Sequence, residues 1–408
     1  MRLNKLLTVA LASMMMFSCS NNDEVDNGLS NGEKKAVILR LDGVSTPKTR
    51  STDANTGSDD NDKKMSLSSI KVYFCNSTNI YSTKTYSSTE TDTWANLVGT
   101  SAGTSGHQEI VEVNAAVDRV IIVGNPDGTT FADGITTVKA LEGKVLSLSK
   151  ENTPISAGET TKSNVTLYGT APLTPVADET VTNYTHTAAV TIAPLISRIE
   201  VTGVSCTFQE SSAPAHRFNK VTVTGIGMVD YNNKMTIAGT ASEPMTPYTT
   251  SNTNGNIYKP DYSEEVTNGY KFCVEDDTWG WSFDIKKGNE NLSIVFEANT
   301  QQTAGTTDTQ HTFAYNFFVP ETDPKFPNIM LVATVETPQS TSRAALPNKY
   351  VTTTDWGAVT PQRGYIYQFK YAFNENDLGE WDEKDIKKVL VTVTATPWTI
   401  EAVTPDFN

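Results

Sequence analysis

The sequence predicts a mostly β chain built as two tandem β-sandwich domains with few short helices. Three observations predict this. Short runs rich in β-branched and aromatic residues recur along the chain, Gly and Pro break them at intervals, and long amphipathic helical patterns are scarce. At 408 residues the chain also exceeds one ordinary core, so two domains is the expected count. Acidic residues outnumber basic ones 47 to 32, for a formal charge of −15. No basic stripe marks a nucleic-acid partner. The balance fits a soluble, secreted or surface-exposed protein.

Residues 1–19 stand apart. Arg2 and Lys5 give a basic start, an apolar run follows over residues 6–17, and the run is too short to span a bilayer. It closes on Met16-Phe17-Ser18-Cys19, which looks like a lipobox. The likeness implies cleavage before Cys19 and acylation of that residue, and two or more acyl chains anchor stably where one does not. The acidic run 20–24 resembles a tract that sends lipoproteins to the outer face of the outer membrane. Of the remaining cysteines, Cys75, Cys206 and Cys273 are far apart and in no metal-ligand spacing. They read as small buried hydrophobes in strands, with a disulfide between two of them left open.

Beyond a polar tether, Val37, Leu39 and Leu41 alternate as one face of a half-buried strand. Residues 45–64 follow, rich in Ser, Asn, Asp and Gly around Pro47, Arg50 and Ser51. They read as an exposed loop open to proteases, without the spaced acids of a calcium loop. Strand-like runs then recur at residues 70–74, 109–113, 119–125, 164–169 and 188–192, with a turn at Asn125-Pro126-Asp127-Gly128. Val138, Leu141 and Val145 predict a short helix over 134–149. Pro194 punctuates, and alternation restarts at Leu195, where the domain boundary is placed. Further strands are expected at 195–201, 220–224, 292–297, 313–319 and 329–335, and residues 239–265 read as a polar excursion. Two runs close the chain, 363–373 and 389–400. In the second, Val389, Val391, Val393 and Ala395 share a face. Pro397 marks a bulge or edge, and Trp398 and Ile400 carry the apolar face beyond it. A terminal apolar strand must find a sheet edge, in its own chain or in another copy.

Motifs for chemistry are missing. His107, His186, His216 and His311 stand singly. Ser147-Leu148-Ser149-Lys150 lacks the companions of a serine-lysine site, and Gly225-Ile226-Gly227 lacks the third glycine and helix of a dinucleotide site. No catalytic residue, metal ligand or cofactor is assigned, and the chain is expected not to be an enzyme.

Phe17-Ser18-Cys19, Arg50-Ser51, Ile196-Ser197-Arg198-Ile199-Glu200, Gly364-Tyr365-Ile366-Tyr367-Gln368-Phe369 and the run from Val391 to Trp398 together resemble the fimbrillin family. These are the major fimbrial subunits of Bacteroidia-type anaerobes. The resemblance implies two transthyretin-like sandwiches, export as an outer-membrane lipoprotein acylated at Cys19, and cutting by an Arg-specific or trypsin-like protease. It divides the chain into signal peptide 1–19, tether and removable strand 20–50, N-terminal sandwich 51–194 and C-terminal sandwich 195–408. The cut is expected between Arg50 and Ser51. Removal of the strand bearing Val37, Leu39 and Leu41 would open a groove for a donor strand carrying Val389, Val391, Val393, Trp398 and Ile400. The partners implied are other copies or related fimbrial subunits, the protease, the membrane through the lipid, and a surface receptor. The alternative is a surface lipoprotein that does not polymerise and binds glycan or host protein, or a tip or anchor component.

Overall fold

The computed structural model describes residues 25–26, 34–42, 44–45, 64–90, 94, 97, 109–151, 165–176, 185–208, 217–229, 231–232, 234–241, 294–298, 306–308, 313–337, 349–379, 387–390, 394–397 and 399–402. Four larger sheets and two small ones account for most of them, with turns, short helices and irregular segments making up the rest. The fold is mostly β.

Two sheets come mainly from the chain before Leu195. The first runs β1 (Val25–Asp26), β6 (Ile80–Ser87), β5 (Ser69–Cys75), β8 (Arg119–Gly124), β10 (Leu167–Pro172), β13 (Ala193–Pro194). Strand β8 is central, and Val120, Ile121, Ile122 and Val123 are all fully buried. A continuous apolar run suits a strand covered on both faces. It ends at Asn125, whose φ is 49°, a left-handed conformation that Asn tolerates better than most residues. The Asn125 side chain secures the turn by accepting from the Ser68 N–H at 3.0 Å and donating to the Val165 carbonyl at 3.1 Å.

The second sheet is smaller, in the order β11 (Thr174–Pro175), β12 (His186–Thr191), β2 (Lys34–Asp42), β7 (Glu109–Asn114). The two sheets meet closely at Gly169. A Cβ there would run into the Thr191 carbonyl oxygen, so only glycine lets β10 and β12 approach this far.

From Ile196 onward the chain forms two more sheets. One has β14 (Ile196–Thr207) beside β22 (Tyr365–Asn374), with β24 (Thr394–Pro397) at the outer edge. Strands β18 (Thr306–Asp308) and β19 (Phe313–Phe318) share the other side of β14. The facing sheet runs β17 (Ile294–Glu297), β15 (Lys220–Val229), β20 (Asn328–Glu336), β21 (Lys349–Asp355), β23 (Lys387–Leu390). The core between them is aromatic. Tyr367, Phe369, Tyr371 and Phe373 alternate inward from β22. Phe326 stacks on Trp356 at 4.6 Å, Trp356 meets Phe369 edge-on, and Phe373 meets Phe296 edge-on across the sandwich. Buried Tyr371 donates its hydroxyl to the Val351 carbonyl at 3.0 Å, and burial pushes its pKa well above the ordinary phenol value.

Two small sheets join the halves. Strand β9 (Val145–Ser147) pairs with β16 (Lys234–Thr236). A parallel ladder sets β25 (Thr399–Ala402) between β3 (Val44–Ser45) and β4 (Lys64–Leu67).

Several expectations need adjusting. The helix expected over 134–149 is five residues, α1 (Val138–Glu142), capped by Thr137. Val138 and Leu141 are buried, whereas Val145 is 43% exposed and starts β9. Gly143, a poor helix residue, closes the turn on the Lys139 carbonyl. A second short helix, α2 (Leu148–Glu151), follows. Gly225 and Gly227 lie in β15, where the ladder shifts register between Val223 and Gly225, so this pair accompanies a bulge. The terminal run expected as one strand is three: β23, β24 and β25 belong to three different sheets. Pro397, which lacks an N–H, ends edge strand β24 opposite Tyr365.

Candidate functional site: an interior strand supplied from upstream

The site is strand β2 and the two strands that hold it. β2 lies between β12, with which it runs parallel, and β7, with which it runs antiparallel. In register, Val37 faces His186 on one side and Val111 on the other, and Leu39 faces Ala188 and Glu109. Both neighbours come from later in the chain, so β2 is an early segment filling a gap that they frame.

Side-chain burial follows the sequence with one addition. Val37 and Leu39 are fully buried and Leu41 is 8% exposed, as alternation requires. Ile38 points to the other face and is also buried, at 2%. Arg40 restores the alternation by being exposed. The pattern over 37–41 is therefore three buried, one exposed, one buried. The unbroken Val-Ile-Leu run was the signal for this, since a strand facing water on one side rarely carries three consecutive apolar residues.

Polar groups fix the start of the strand. Lys35 donates its ammonium to the Val117 carbonyl at 3.0 Å, and Lys34 lies 3.2 Å from the Glu112 carboxylate in an exposed ion pair. The exposed pair contributes little, on the order of 0–1 kcal/mol. Burying four apolar side chains contributes roughly 1.5–3 kcal/mol each, about 6–12 kcal/mol gross. Apolar burial and the double ladder therefore hold β2, and charge mainly orients it.

Leaving β2, the chain passes into β3 and then through residues 46–63, which contain Arg50 and Ser51, before re-entering at β4. Cys19, Arg50 and Ser51 lie outside the described residues, as do Val391, Val393 and Trp398. Of the other expected donor residues, Val389 falls in β23, at the edge of its sheet and parallel to β21. Ile400 falls in β25, paired with Val44 and Met65. The structure thus holds Val37, Leu39 and Leu41 together in one ladder and puts Val389 at a sheet edge and Ile400 in the small parallel sheet. Cys75 and Cys206 are buried in β5 and β14 with free thiols, and burial pushes the Cys75 thiol up to about 11. Cys273 lies outside the described residues.

No family model and no curated protein matches the sequence. Among solved structures, the chain is similar to a candidate cell adhesion protein from Bacteroides eggerthii, with 12% identity, 91% of this chain and 98% of that one covered, and a TM-score of 0.46. It is similar to a fimbrilin from Porphyromonas gingivalis, with 11% identity, 90% and 99% covered, and a TM-score of 0.45. The fimbrial anchor protein Mfa2 from Porphyromonas gingivalis matches with 12% identity, 90% and 98% covered, and a TM-score of 0.31.

Proposed function

We propose that this chain is a structural subunit of a cell-surface fimbrium, exported as a lipoprotein through Cys19, cut between Arg50 and Ser51, and polymerised by strand exchange. One observation carries the proposal. An upstream segment, β2, occupies an interior position between β7 and β12, and its onward connection is the polar stretch that contains Arg50. Cutting that connection separates β1, β2 and β3 from the rest of the chain. Loss of β2 would leave two ladders of backbone donors and acceptors unpaired and an apolar cleft exposed, a state costly enough to demand a replacement. The C-terminal segments β23 and β24 sit at sheet edges, where removal breaks one ladder rather than two.

Under this reading the N-terminal sandwich, 51–194, is the acceptor and the C-terminal sandwich, 195–408, carries the donor. The contact is head-to-tail, so it generates an open filament. Partners are further copies or related subunits, and adhesion is a property of the filament. The role is structural and involves no catalysis or cofactor.

The test treats wild type and a variant truncated after Asp385 with an Arg-specific protease and runs both on unheated gels. A ladder in wild type that is lost on truncation is the expected outcome. No ladder after complete cutting at Arg50 would overturn the proposal in favour of a monomeric surface lipoprotein.

A further inference from the structure

Resting on the strand-exchange reading, we infer that residues 387–394 of one copy enter the slot of the next in a single register, with Val389 in the place of Val37. Leu390 then stands at Ile38, Val391 at Leu39, Thr392 at Arg40 and Val393 at Leu41. The occupant is thus a second copy of this chain, and its register is set by the burial pattern of β2.

That pattern is a demanding template. Positions 37, 38, 39 and 41 are buried and position 40 is exposed. Val389-Leu390-Val391-Thr392-Val393 reproduces it at all five positions. A shift by one residue would turn each side chain to the wrong face. Moving the donor forward two residues places Thr392 at buried position 38 and Ala395 at position 41. Moving it back two places Lys387 at fully buried position 37, where an unpaired ammonium is heavily penalised.

Polar flanks agree. Lys387 falls at Lys35, whose ammonium bonds the Val117 carbonyl. Ile386 replaces Lys34, which removes the partner of Glu112. Lys388 falls at Ala36, directly opposite Glu112 in the antiparallel ladder, and restores an opposite charge there. Direction follows as well: the donor runs parallel to β12 and antiparallel to β7.

Disulfide trapping tests the register, because facing residues lie within bridging distance and a two-residue offset adds roughly 7 Å. Ile110 faces Ile38 and is 41% exposed, so Ile110→Cys leaves the core intact. Full-length chains in a Cys273→Ser background would carry Ile110→Cys with Leu390→Cys, with Lys388→Cys or with Thr392→Cys. After cutting and mild oxidation, the first pair is expected to give a covalent ladder on non-reducing denaturing gels, and the uncut chain none. An unheated-gel ladder in which another pair links, or no pair links, overturns the register while leaving strand exchange standing. Absence of any unheated-gel ladder removes the strand-exchange reading itself, and the register with it.

Discussion

Thr185 grips Ala36 twice: its backbone N–H donates to the Ala36 carbonyl at 2.9 Å and its hydroxyl reaches the same oxygen at 3.2 Å. The hydroxyl also lies 2.8 Å from His186 Nδ1. This contact fixes where β2 begins against β12. Thr185→Val keeps the β-branch and the N–H bond but loses the hydroxyl, and should lower the stability of the uncut chain by about 0.5–1.5 kcal/mol. A urea midpoint equal to wild type would show that the backbone ladder alone sets the register.

Leu39→Ala should be more severe. Leu39 is fully buried, and truncating such a leucine costs about 2–5 kcal/mol. The loss should appear in denaturant unfolding of the uncut chain. In the assembled, cut form it should vanish, because Leu39 has then left. A destabilisation that persists in the filament would mean β2 stays in place.

Arg50→Ala tests the cut. The variant is expected to fold with an unchanged urea midpoint, keep its leader and remain monomeric after protease treatment. Mass spectrometry of the product reads this directly, and efficient assembly of the variant would move the cleavage site elsewhere.

Gly169→Ala should disturb the frame of the slot. The new methyl would press on the Thr191 carbonyl in β12, and overpacking of this kind costs typically 1–3 kcal/mol. A lowered midpoint with β12 amides exchanging faster is the expected result, read by hydrogen exchange.

Alkaline stability should follow several buried acids, Cys75, Cys206 and Tyr168 among them. Burial raises the Cys75 thiol from 9.0 to about 11 and the Tyr168 hydroxyl from 10.0 to about 12. Raised acids favour the folded state while protonated, so their contribution is complete below pH 9.0 and 10.0 and is lost as pH climbs through about 11 and 12. Urea midpoints should therefore fall above pH 9, and Cys75→Ala should lessen the earlier part of that fall while the share of Cys206, which starts from the same 9.0, persists.

Side-chain chemistry made much of the fold legible, and long-range pairing was beyond it. Val120 to Val123 and the aromatic alternation of β22 announce a central strand and a core-facing strand, because burial writes its period into the residues. Strands β6 and β21 escaped notice because Ile80-Tyr81-Ser82-Thr83-Lys84-Thr85-Tyr86-Ser87 and Lys349-Tyr350-Val351-Thr352-Thr353-Thr354-Asp355 are mostly hydroxyl-bearing. Thr and Tyr favour strands, yet in this Thr- and Ser-rich chain they resemble loop composition. The apolar face of β2 could be read from Val37, Leu39 and Leu41. That β12, some 150 residues downstream by the Thr185–Ala36 separation of 149, would pair with it could not, since local propensity carries no information on which strands meet. The division of the terminal run into three strands was hidden for the same reason.

The small parallel sheet gives the reading a clock. Strand β25 is held on one side by β3, which precedes Arg50, and on the other by β4, which follows it. While the chain is whole, its own leader latches its tail. On the strand-exchange reading, loss of the leader would open the socket and also remove two of the six residue pairings that hold β25, so a molecule unable to receive a sibling would also keep its tail more firmly held. Growth would then start only where the protease acts, and a subunit still on its way to the surface would be spared premature fibres.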